Sequence, residues 1–139
     1  MSADIKVFIN KNDMISAEKW SQLIVENEFE LTFFPDFNVN ELQGWLPCKY
    51  RGEDAGFEYY FDGLEDTMFS VENNPKLLGK DTCISFSSPY EQVNLASAMI
   101  ASAILVKYCH GVYWIMDDFE SGEDPIEMAR HLEKHGFER

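Results

Sequence analysis

At 139 residues, 45% of them hydrophobic and 14% aromatic, the chain can bury a sizeable core and is too apolar to be disordered. Eleven Lys and Arg against 25 Asp and Glu leave a net charge of −14, which repels nucleic acid and anionic membranes and suits a basic partner. Cys48, Cys83 and Cys109 are odd in number and lack metal-type spacing, so reduced, mostly buried thiols of a cytoplasmic protein are expected.

The opening Met1-Ser2-Ala3-Asp4-Ile5-Lys6 has no basic region followed by an apolar stretch, so no signal peptide is expected. Ile5-Lys6-Val7-Phe8-Ile9 reads as a first strand. Ser16 is placed to cap a helix over residues 17–27, with Trp20, Leu23 and Ile24 as its apolar stripe. Glu30-Leu31-Thr32-Phe33-Phe34 is strand-like and stopped by Pro35, and residues 37–43 suit a short helical turn. After Gly44-Trp45-Leu46-Pro47-Cys48-Lys49-Tyr50 comes a polar turn at 51–56. Phe57-Glu58-Tyr59-Tyr60-Phe61 follows as an aromatic strand closed by Asp62-Gly63. Alternation puts Glu58 and Tyr60 on one face of it and Phe57, Tyr59 and Phe61 on the other. Residues 67–71 suggest a short strand broken by Asn73-Asn74-Pro75, and Thr82-Cys83-Ile84-Ser85-Phe86 a longer one.

The chain is organised around residues 88–117. Ser88-Pro89-Tyr90-Glu91 reads as a helix start, and residues 93–106 are apolar on nearly every side of the turn, as in a buried helix. That run is about six residues short of the ~20 a membrane span needs, and Asn94, Ser97 and Ser102 interrupt it. Gly111 is the expected left-handed stop, with residues 112–116 as the next strand. A polar loop leads to Asp124-Pro125-Ile126-Glu127, which starts a last helix ending near His135 with Gly136 as its stop. These elements predict a single α+β domain over residues 1–139. Its sheet is mixed or antiparallel with about five to six strands, and it has three helices, with helix 89–109 central.

No glycine-rich phosphate loop, Gly-x-Ser-x-Gly elbow or Cys-x-x-Cys pair is present, so no enzyme and no cofactor are expected. His131 and His135 sit four apart with Glu127 four before them, yet no third ligand is signalled, so no metal is expected. The acids, by contrast, are unevenly placed. Residues 52–75 hold seven and residues 108–129 hold six, in both cases with no Lys or Arg. If the two loop-rich windows converge, Glu53, Asp54, Asp62, Glu65 and Asp66 with Asp117, Asp118, Glu120 and Glu123 form a partner-facing acidic surface. Tyr59, Tyr60 and Phe119 are its candidate aromatic anchors.

Gly44-Trp45-Leu46-Pro47, the Gly52-Glu53-x-x-Gly56-Phe57-Glu58-Tyr59-Tyr60 run, and the Ala-rich helix followed by Gly111 and a strand ending in Asp117 carry a resemblance. Over residues 44–130 they resemble small bacterial immunity proteins of polymorphic or contact-dependent growth-inhibition toxin systems. The resemblance implies a non-enzymatic inhibitor that binds a cognate toxin domain in the cytoplasm, often a nuclease with a basic cleft. The alternative from charge alone is an acidic adaptor or regulatory protein with another protein partner.

Overall fold

Strand β1, Ser2–Ile9, sits inside the sheet, apolar on one side of its pleat and carrying Asp4, Lys6 and Phe8 on the other. Ala3, Ile5, Val7 and Ile9 are buried on one face and Phe8 on the other. The computed structural model describes residues 2–34, 37–115, 118–119 and 124–135. After β1 come α1 (Ala17–Glu26), β2 (Leu31–Phe33), β3 (Gly44–Tyr50), β4 (Glu53–Gly63) and β5 (Thr82–Pro89). Then follow α2 (Gln92–Tyr108), β6 (Val112–Ile115), β7 (Asp118–Phe119) and α3 (Pro125–His135). The sheet order is β2-β3-β4-β5-β1-β6-β7, and every adjacent pair is antiparallel. The expected α+β architecture is therefore present. Its sheet is purely antiparallel, and a two-residue β7 extends the edge beyond the six longer strands. Because β5 and β6 both oppose β1 between them, α2 links two strands running the same way, a split β-α-β unit.

Helix α2 is central because it has no polar side to expose. Every residue from Asn94 to Leu105 is buried, between strands β1, β3, β4 and β5 on one side and α1 and α3 on the other. Small side chains at Ala96, Ala98, Ala101 and Ala103 let its neighbours approach, and Ser97 and Ser102 satisfy their hydroxyls on the helix's own carbonyls at 2.6 and 3.1 Å. Among the described residues no helix is long and apolar enough to cross a membrane. Helix α1 begins as expected: Ser16 Oγ accepts the Lys19 N–H at 3.1 Å, and Trp20, Leu23 and Ile24 are buried. Asp124 likewise caps α3, its Oδ1 accepting the Ile126 N–H at 2.8 Å. Residues 38–42 do form a single turn, the Asn38 carbonyl accepting from Glu41 and Leu42.

Three local expectations are corrected. Ser88 and Pro89 do not open α2; they are the last residues of β5, paired with Ala3 and Ser2, and the helix begins after Glu91 without a side-chain cap. Gly111 is not the left-handed residue at the far end. His110 is, at φ 55°, and the Gly111 N–H closes the turn on the Val106 carbonyl at 3.0 Å. Glycine is needed at 111 for space, since a Cβ there would lie 3.0 Å from Val7 Cγ1 and 3.1 Å from Val106 Cα. Residues 67–71 form no strand; Phe69 and Val71 instead fold over Phe8, Leu77 and Cys83 and close a small second core on the far face. Met116 and Gly136 lie outside the described residues, as does Pro35.

Where β5 turns away into α2, β4 loses its partner, and Asn94 replaces it. The Asn94 amide oxygen accepts the Gly56 N–H at 2.9 Å inside the core, two residues past the Glu58–Ser87 pair that ends the ladder. Asn94→Leu leaves that buried N–H unsatisfied. It is expected to cost about 1–3 kcal/mol in urea unfolding, although the change is apolar and helix-favouring.

Candidate interaction surface

All three helices pack on one face of the sheet, so strand alternation decides what the other face shows. Leu46, Cys48 and Tyr50 of β3 and Phe57 and Tyr59 of β4 turn to the helices and are buried. Their neighbours Trp45, Pro47, Lys49, Asp54, Gly56, Glu58, Tyr60 and Asp62 turn the opposite way. Through the β4–β5–β1 register, Glu58 stands beside Ser87 and Asp4, and Tyr60 beside Ser85 and Lys6. One end of this face is sealed by the cluster over Phe8, which includes Phe69, Trp114 and Phe119. The rest is open.

Trp45 is the prominent side chain of the open part, 50% exposed. Its indole lies on Gly56, its diagonal cross-strand neighbour: a Cβ on Gly56 would come within 2.6 Å of Cε2 and 2.9 Å of Nε1. Phe34, 44% exposed, extends the β2–β3 ladder with its N–H 3.5 Å from the Pro47 carbonyl. Two large apolar side chains therefore stand on the surface, Phe34 opposite Pro47 and Trp45 two residues before Pro47 on the same strand. Glu58 pairs directly across from Trp45, and the Tyr60 hydroxyl donates to its carboxylate at 2.8 Å, which raises the Tyr60 pKa.

Among the described residues, the acids expected to meet a partner lie in separate parts of the fold. Glu53 and Asp54 lie at one end of β4 and Asp62 near the other, with Glu65 and Asp66 on the 3-10 turn beyond it. Eight to nine residues of strand separate the two groups by about 30 Å. Asp118 pairs with Ile115 on β7, at the far sheet edge from β4, with β5, β1 and β6 between them. Asp117, Glu120 and Glu123 lie outside the described residues. The fold also brings in cations that the two windows lack in sequence. Lys49 pairs with Asp54 at 3.3 Å, and Lys11 and Lys80 line a cleft of about 730 Å³ with Glu65. Asp62 accepts from the Gln43 amide at 3.2 Å. Glu58 and Asp4 are both exposed, and among the described residues neither is ion-paired.

Of the candidate anchors, Tyr59 belongs to the core: it is fully buried, with its hydroxyl on the Val39 carbonyl at 2.6 Å. Phe119 packs in the cluster over Phe8. Tyr60 is on the open face. Trp45 and Phe34, which sequence reasoning passed over, are the more exposed aromatics. The signal was available in the alternation of Trp45, Pro47 and Lys49 against Leu46, Cys48 and Tyr50. His131 and His135 stack at 4.6 Å between ring centroids, and among the described residues no three ligating side chains converge.

Buried thiols and phenols account for the other shifted titrations. Burial pushes the Cys48 and Cys109 thiols up to about 11 each, and it raises Cys83, Tyr50 and Tyr59 as well. An unfolded chain releases its thiol protons near the ordinary value of 9.0, while the folded chain keeps them to about 11. Stability is therefore unaffected below the unfolded value and is lost as pH rises through the folded one, by up to about 1.4 kcal/mol per pH unit per thiol. Urea unfolding repeated from pH 8 to 11 is expected to show this fall. The double variant Cys48→Ala with Cys109→Ala should flatten its onset.

No family model, curated protein or solved structure matches the chain.

Proposed function

We propose that this protein is a non-enzymatic inhibitor that binds and blocks a basic toxin domain, as an immunity protein of a polymorphic or contact-dependent growth-inhibition system. The observation that carries the reading is the open sheet face, where Trp45 and Phe34 are exposed on the same face as the carboxylates of Glu58 and Asp4, neither of them ion-paired among the described residues. Exposed aromatics of this size concentrate binding energy in protein interfaces. The net charge of −14 selects a cationic partner and speeds its approach. Burial keeps the Cys48 and Cys109 thiols protonated, the opposite of what a cysteine nucleophile needs.

In this role the protein works in the cytoplasm, by occupying the basic cleft with which a nuclease toxin holds its substrate. The test is growth protection. If a neighbouring gene encodes such a toxin domain, cells expressing it are expected to grow when this chain is co-expressed and to arrest without it. Arrest in the presence of abundant folded chain would overturn the reading. Capture of a different, non-toxic basic partner from native cells, together with failure to protect, would favour the adaptor alternative.

A further inference from the structure

We propose that the open sheet face is a receptor for an arginine-rich protein surface, with Trp45 as the stacking platform and Glu58 and Asp4 as the carboxylates that accept the guanidinium groups. It rests on the reading that the partner is a basic protein, and it names the chemistry and place of contact.

Three features converge on arginine. The first is that Trp45 is exposed and yet held. Its indole occupies the space over Gly56 that any other residue's Cβ would take, so a flat π-face is presented before a partner arrives and little side-chain freedom is lost on binding. The second is the row in which it stands. Register aligns Trp45, Glu58, Ser87 and Asp4 across four adjacent strands, so a carboxylate follows the indole at one strand spacing and a second stands two strands beyond, about 10 Å further. The small Ser87 between the acids leaves room for an entering side chain. The third is orientation, since the Tyr60 hydroxyl donates to Glu58 at 2.8 Å and fixes one of its oxygens.

A guanidinium is planar, weakly hydrated and forked. It stacks on an indole and donates to a neighbouring carboxylate at the same time. An ammonium has the charge without the plane, so this surface distinguishes arginine from lysine. A second copy of the chain is disfavoured as occupant, since it carries the same −14 charge and would oppose acid to acid. Nucleic acid and anionic lipid are repelled for the same reason.

The test is an NMR titration of the full chain at low salt with two probes, a ten-residue arginine peptide and a ten-residue lysine peptide. The arginine peptide is expected to shift the Trp45 indole N–H and the Gly56 and Glu58 amides together, and to bind at least fivefold tighter than the lysine peptide. Trp45→Ala is expected to weaken the arginine peptide about tenfold and erase its advantage over lysine. Gly56→Ala should do the same while keeping the indole, because the added methyl unseats the ring; unshifted Phe57 and Tyr59 resonances would show the core intact. Shifts confined to Glu53, Glu65 and Asp66, equal affinity for the two peptides, or variants that bind like the parent would overturn the proposal. The two readings fail separately. A chain that binds arginine peptide here but protects no cell from the toxin domain contradicts neutralisation alone. A protective chain whose affinity for the toxin domain is unchanged by Trp45→Ala contradicts the receptor alone.

Discussion

Trp20→Ala is expected to lower the unfolding free energy by about 3–5 kcal/mol, the largest single effect we anticipate on this fold. Trp20 is fully buried on α1, and its ring meets Phe33, Phe37, Tyr59 and Phe86 at centroid distances of 4.8, 6.3, 5.8 and 6.1 Å. Its indole N–H donates to the Ala101 carbonyl at 3.0 Å, so the same side chain ties α1 to both the sheet and the central helix. Deleting the ring removes the contact that joins three elements and opens a cavity their backbones cannot easily close. A domain of this size has about 5–15 kcal/mol in all, so the variant should sit close to the unfolding threshold. Trp20→Phe keeps much of the ring and loses the hydrogen bond, for an expected cost of about 1–3 kcal/mol. Urea unfolding followed by circular dichroism measures both. A loss under about 1 kcal/mol for the alanine variant would mean that α1 does not seal the core as described.

The parts of this fold that were legible in the sequence are those whose signals are local. Ser16 with Trp20, Leu23 and Ile24 marked α1, the all-round apolar run marked α2 as buried, and Asp124-Pro125 marked the start of α3. The failures share a cause, which is pairing with residues far away in the chain. Ser88-Pro89 has the form of a helix start, but Ala3 and Ser2 across the sheet hold it in β5. Residues 67–71 look strand-like because Phe69 and Val71 are apolar, and their actual role is to cover Phe8, a contact that chain order does not reveal. The split of the acidic windows was hidden in the same way: β4, at 11 residues, carries Glu53 and Asp62 to opposite ends, and cross-strand pairing brings Lys49 to Asp54. The open face could be read in part, since alternation separated Glu58 and Tyr60 from Phe57 and Tyr59. That the helices would cover only one of those sets required the topology.

The dispersal of the described acids shapes the second prediction, the salt dependence of association with the proposed toxin partner. Groups about 20–30 Å apart act as one field only while the screening length exceeds their separation. That length is about 30 Å at 0.01 M salt and about 8 Å at 0.15 M. Raising salt between these values is expected to slow association roughly tenfold or more and to change dissociation less than about twofold. Glu65→Lys with Asp66→Lys should reproduce the slowing at low salt, because both side chains are exposed and far from the Trp45 row. Trp45→Ala should act on the other rate, accelerating dissociation while leaving association near its original value, since it removes a short-range contact and no charge. Stopped-flow association and dissociation rates separate the two effects. An association rate indifferent to salt would remove steering from the mechanism and place the contact on a neutral surface.

The most direct measurement is a titration of the proposed toxin partner's own activity with this chain at physiological salt. Neutralisation by occupancy of the basic cleft predicts that activity falls linearly and is abolished at one equivalent of chain. Activity that persists at several-fold excess of folded chain would contradict it.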